Sequence, residues 1–162
     1  MQEETYGLFP ARRALLLLLP LWLLLVGGIL FMGGMQMRSL CGAGFAAVLL
    51  WLSYLDVRDG LLYDVITLPF AAVGFLFSLT GVLMPVANAV IGGTLCGVLF
   101  YCLYITARGG LGGGDVKLAA GLGLWLGWEA AIVAVWIAFL LGGIAAVVLL
   151  LTRRKGRRDG IP

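Results

Sequence analysis

The sequence contains no histidine, and only 12% of its 162 residues are charged. The first absence removes the Ser-His-Asp and Cys-His routes to an activated nucleophile. The second removes the ordinary water-soluble domain, in which about a quarter of residues carry charge. Cysteine is scarce as well. Cys41, Cys96 and Cys102 all lie inside apolar runs and none belongs to a Cys-x-x-Cys pair, so nothing in the chain supports a zinc site or another bound metal or cofactor. The net charge of +3 does not indicate nucleic acid, because five of the eleven basic residues fall in the last ten positions. Such a tail reads as an anchor on the cytoplasmic side of a membrane.

What the chain has in abundance is hydrophobicity: 62% of residues are apolar and the mean hydropathy is +1.09. In hydrocarbon only helices and closed barrels satisfy their own backbone, and runs that are continuous rather than alternating exclude the barrel. The expected fold is therefore all-α, a polytopic transmembrane bundle of about six helices in a single domain over residues 1–162.

Five apolar stretches can be marked, at residues 14–31, 40–55, 65–83, 86–107 and 116–151. The first is longer than the 7–15-residue core of a signal peptide and is followed by further spans, so it reads as the first span. The last is divided by Gly127-Trp128-Glu129 into two helices, the first of them short. Six spans with the amino terminus inside put Arg12, Arg13, Arg58, Arg108, Lys117 and the five tail bases on one side, and Arg38 alone on the other. That asymmetry is what the positive-inside rule requires, and it places both termini in the cytoplasm.

Two boundaries carry acids. Residues 109–114 contain five glycines and deliver Asp115 to the start of an apolar segment, with Lys117 two residues on. A glycine loop can take positive φ and approach a ligand closely, so Gly112, Gly113 and Gly114 are candidate substrate-loop residues. It is not a nucleotide loop, since the dinucleotide pattern fails at its last position and no Gly-Lys-Ser/Thr follows. The second boundary is Asp56-Val-Arg58-Asp59-Gly-Leu-Leu-Tyr63-Asp64. An acid at a membrane edge is costly unless it is paired or used. Peptide hydrolysis by carboxylates needs two of them sharing one proton, one as base on water and one as donor to the carbonyl oxygen. Asp115 supplies one, and Asp56, Asp59 or Asp64 the other. Asp56 directly follows an apolar run, which favours it. The plainer readings are that Asp59 and Asp64 are solvated boundary acids, with Asp64 capping a helix that starts at Val65, and that Arg58 and Lys117 are inside-facing anchors. Trp51, Trp125, Trp128 and Trp136 read as belt or packing residues.

Gly112-x-Gly-Asp115, continuing through Val116-Lys-Leu-Ala-Ala-Gly-Leu-Gly-Leu-Trp-Leu-Gly-Trp128, resembles the second active-site segment of the type IV prepilin peptidases. Residues 56–64 with Thr67-Leu-Pro69 resemble their first. The resemblance implies an intramembrane aspartic endopeptidase with Asp56 and Asp115 as catalytic pair; Arg58, Asp59, Asp64 and Lys117 are candidate supporting residues beside it. It implies a plasma-membrane enzyme that removes the basic leader from prepilins or pseudopilins at the cytoplasmic face, without a cofactor. Three departures are visible. The Cys-x-x-Cys region associated with methylation is missing, which implies a peptidase-only short form. Tyr63 stands where proline is common. Gly160-Ile161-Pro162 resembles the start of a motif leading into one more helix. Two other classes are alternatives: a proton-coupled transporter or channel subunit in which the same two acids relay protons, and a non-catalytic scaffold of pilus or secretion assembly.

Overall fold

The computed structural model describes residues 12–108 and 110–151. Gly109 of the glycine loop, the bases from Arg153 onward and the Gly160-Ile161-Pro162 ending lie outside the described residues. All the regular structure described is helical, as expected: α1 Arg12–Gly33, α2 Met37–Asp59, α3 Asp64–Leu79, α4 Val86–Thr106 and α5 Gly113–Leu151.

Of these, α2, α4 and α5 are long and apolar enough to cross a membrane, whereas Leu18–Gly33 and Asp64–Leu79 are apolar but shorter. Their outward faces carry large apolar side chains, such as Trp136 at 69% exposure and Phe139 at 53%. Contiguous apolar surface on this scale suits lipid rather than water.

By its contacts the chain divides into two compact units, residues 1–62 and 63–162. In the first, α1 packs on α2. Trp22 donates its indole N–H to the Ala43 carbonyl at 3.0 Å, and the Ile29 side chain lies over Gly42. α2 ends at Gly60, whose left-handed backbone lets its N–H close on the Asp56 carbonyl at 2.8 Å.

In the second unit α5 packs on both α4 and α3. The sequence leads one to expect six helices; among the described residues five are present, and the fifth is broken at Gly127, inside the Gly-Trp-Glu turn. Gly127 has φ 73° and ψ 170°, a backbone region open essentially to glycine alone. The break is a reversal. Ala119 before it and Ala131 after it both pack around Cys96, although an uninterrupted helix would hold them about 18 Å apart. The stretch before Gly127 runs antiparallel to α4, with Ala120 beside Gly97 and Gly123 against Gly92. Beyond Gly127 the chain runs along α4 in the same sense, bringing Val135 against the Cys96 cluster and Phe139 beside Phe100. At the crossing a Cβ built on Gly92 would meet the Gly123 carbonyl oxygen at 2.6 Å. Backbone meets backbone there, as small residues permit between membrane helices.

Against α3 the contacts follow one stripe of α5. Lys117, Gly121 and Trp125 recur every four residues and so share a face. Gly121 receives Phe70 and Ala71. Trp125 stacks on Phe70 at 5.6 Å between centroids, leans on Phe77 at 5.8 Å and covers Gly74. Thr67, Phe70, Gly74 and Ser78 are the buried stripe of α3, and the two helices run parallel. Trp125 is a packing residue, as its sequence context predicts.

Candidate active site

Asp115 is the third residue of α5, and its carboxylate is turned back on the chain that precedes it. The Gly112 N–H donates to Asp115 Oδ2 at 3.0 Å, and the Asp115 N–H donates to the Gly112 carbonyl at 3.1 Å. This is the acidic half of a capping box, in which the side chain at the third helical position satisfies a free amide ahead of the helix. Gly112 suits that place because a Cβ on it would stand only 3.3 Å from Oδ2. The acid also lies where the amino-terminal end of the helix dipole favours negative charge.

The glycines differ from expectation in one respect. Gly113 and Gly114 are the first two residues of α5 rather than part of a loop. None of Gly110, Gly112, Gly113 and Gly114 has positive φ; among the described residues of this junction the left-handed one is Arg108, with φ 45°. The helix starts three residues earlier than the apolar run because glycine can take the first helical turn wherever its amides are usefully directed.

In the first unit, α2 continues through Asp59, so Asp56 lies within its last turn rather than beyond it. Leu52, Leu55, Asp56 and Asp59 fall three or four residues apart and share a face on which both leucines are fully buried. Asp56 and Asp59 are themselves partly buried. Asp59 is engaged by Arg58, whose Nε and Nη2 donate to its two oxygens at 2.7 and 2.6 Å. The Arg58 guanidinium also lies 5.8 Å from the centre of the Tyr54 ring. Such bidentate pairing leaves Arg58 and Asp59 occupied with each other.

Asp64 does not cap α3. Tyr63 holds the cap position without a side-chain bond, and Asp64 is the first helical residue. Its Oδ2 instead accepts from Lys117 Nζ at 2.5 Å. The structure therefore joins the two acidic segments at Asp64 and Lys117, within the second unit. Asp56 belongs to the first unit and Asp115 to the second. Among the described residues, no group of three Cys, Asp or Glu side chains could hold a metal ion.

Sequence reasoning missed the Gly112 amide as the group that holds Asp115, because backbone donors leave no trace in residue type. It also missed the Lys117–Gly121–Trp125 stripe, whose four-residue spacing was a visible signal.

The profile of the type IV leader peptidase family matches residues 43–147, a segment that includes Asp56, Asp59, Asp64, Asp115 and Lys117. Curated relatives carry the name prepilin leader peptidase/N-methyltransferase. The protein of Aeromonas salmonicida strain A449 is 38% identical over 120 residues, covering 71% of this chain and 41% of its own length. That of Burkholderia pseudomallei strain K96243 is 41% identical over 140 residues, 83% of this chain and 44% of its own. That of Neisseria gonorrhoeae is 36% identical over 141 residues, 82% and 48% respectively. The chain thus spans less than half the length of these relatives. No solved structure matches it.

Proposed function

Because the chain belongs to the type IV leader peptidase family, we propose that it is a membrane aspartic endopeptidase that removes the leader from prepilins or pseudopilins. The observation that carries the proposal is that the matched segment contains both Asp56 and Asp115, in a chain without histidine. The names of the relatives, prepilin leader peptidase/N-methyltransferase, support the substrate class.

In this reading Asp56 and Asp115 share one proton. The ionised member takes a proton from water as that water attacks the scissile carbonyl, and the protonated member donates to the carbonyl oxygen. Collapse of the tetrahedral intermediate breaks the C–N bond, and a proton passes to the leaving amine. No covalent intermediate forms. The cut follows a glycine that precedes the substrate's apolar segment. Whole residues 1–162 act as one membrane-embedded domain, with six spans and both termini in the cytoplasm. The positive-inside asymmetry supports this orientation and, with it, cleavage at the cytoplasmic face of the inner membrane. In the same reading an extended substrate peptide bonds to the backbone of Gly112, Gly113 and Gly114, exchanging with the bonds between Gly112 and Asp115.

The test is cleavage of a prepilin-like substrate in membranes by the wild type, Asp56→Asn, Asp115→Asn and Asp59→Asn. The first two substitutions lower the rate by about 10²–10⁴-fold, the range for loss of a general acid or base, while Asp59→Asn retains activity. Cleavage that survives in both Asp56→Asn and Asp115→Asn refutes the dyad. Potential-dependent proton movement without cleavage would indicate a transporter, and loss of assembly without either would indicate a scaffold.

A further inference from the structure

Lys117 and Asp64 bond across 2.5 Å between the second turn of α5 and the first of α3, although 53 residues separate them in the chain. Their side chains are 45% and 52% exposed, so the pair contributes little to overall stability. Its geometry is more informative. Positions two apart on a helix point to nearly opposite sides, so Lys117 and Asp115 cannot face the same neighbour. Lys117 is bonded to α3, and Asp115 is turned back to the Gly112 amide. Deeper along α5, Gly121 and Trp125 hold the same stripe against α3, Trp125 by a bond from its indole N–H to the Phe70 carbonyl at 2.7 Å. The ion pair is the outermost point of that stripe. It is the attachment to α3 that lies within the turns carrying Asp115.

We infer that Lys117 and Asp64 are positioning residues that set the rotation of the first turns of α5 about the helix axis, and thereby the direction in which Asp115 presents its carboxylate. The inference rests on Asp115 being catalytic. Lys117 touches neither substrate nor reacting atoms; it acts through the helix. Without the pair, α5 remains anchored at Gly121 and Trp125, and the turns before them gain freedom to roll.

The experiment compares the wild type with Lys117→Met, Asp64→Asn, Lys117→Arg and the exchanged double variant Asp64→Lys/Lys117→Asp, in detergent or bilayer discs. Two readouts are taken: amide hydrogen exchange over residues 112–118, and the kinetics of cleavage of a synthetic prepilin-like peptide. Each single neutral variant raises exchange by about two- to fivefold, as expected for losing a half-exposed pair. Each lowers kcat by about tenfold with KM unchanged, because a misdirected group costs rate rather than binding. Lys117→Arg and the exchanged variant restore both. Wild-type exchange in both neutral variants overturns the inference, as does an exchanged variant no better than the single ones. A rise in KM at constant kcat also overturns it, since that would make Lys117 a substrate contact. If the wild type cleaves nothing, the peptidase proposal has failed, and exchange alone decides whether the pair orients α5.

Discussion

Trp125 donates its indole N–H to the carbonyl of Phe70 across 2.7 Å and lies over Gly74, which has no side chain to hinder it. A single aromatic side chain thus joins α5 to α3 by a hydrogen bond, a ring stack and a fitted gap. Trp125→Phe keeps most of the ring and loses the donor, so stability falls by about 1 kcal/mol. Gly74→Ala drives a methyl group into the indole and costs about 1–3 kcal/mol. Thermal unfolding in detergent measures both, and together they cost less than their sum because they disturb one contact.

The Gly92–Gly123 crossing brings two backbones together, with no flexible side chain able to give way. Gly123→Ala therefore costs more than a usual overpacking substitution, about 3 kcal/mol. Its midpoint of thermal unfolding is expected to fall below that of Gly142→Ala, a position with open space where the added Cβ would stand.

Gly127→Ala meets two obstacles. The backbone at φ 73° and ψ 170° admits essentially glycine alone, and the new Cβ would lie 2.6 Å from the Met84 sulfur. A loss of about 1–3 kcal/mol is expected from the backbone alone. With Cys96 replaced by alanine, because its thiol lies between them, cysteines introduced at Ala119 and Ala131 should cross-link through a short reagent in the parent protein and less so in this variant.

Arg108 holds a left-handed conformation that a residue with a Cβ adopts at some expense. Arg108→Gly relieves it and is expected to raise stability by up to about 1 kcal/mol. A β-branched Arg108→Val should lower it. Thermal unfolding of the two variants side by side gives the sign.

Gly112 supplies the amide that holds Asp115. Gly112→Ala keeps that donor and adds a Cβ 3.3 Å from the carboxylate oxygen, so cleavage should fall only a few-fold. Gly112→Pro removes the donor altogether, and an approximately hundredfold loss in kcat is expected from a misdirected catalytic group. Equal losses in the two would argue against a role for the amide.

The apolar runs made the helices legible, because continuous hydrophobicity leaves few other conformations in lipid. The turn at Gly127-Trp128-Glu129 was legible for the same reason, since a charge and a glycine interrupt an otherwise uniform stretch. Helix starts were less so. The run of glycines looked like a loop, yet Gly113 and Gly114 open α5, and among the described residues there the left-handed one is Arg108; glycine allows many backbones, so its presence does not say which is used. At the site, Asp115 stood out by position, but its partner is a backbone amide, which no residue letter encodes. Asp64 looked like a cap because caps are local. Its partner, Lys117, became visible only once α3 and α5 lay side by side.

The reversal at Gly127 has a consequence for chain length. A turn made by one residue has no slack, so the stretch from Asp115 to Gly127, about 18 Å of helix at 1.5 Å per residue, behaves as a ruler laid against α4. Removing or adding one residue within it would shift Asp115 by about 1.5 Å and swing it by roughly a quarter of a turn. The number of residues between the acid and the bend is thus as much a part of the site as the residues that touch it.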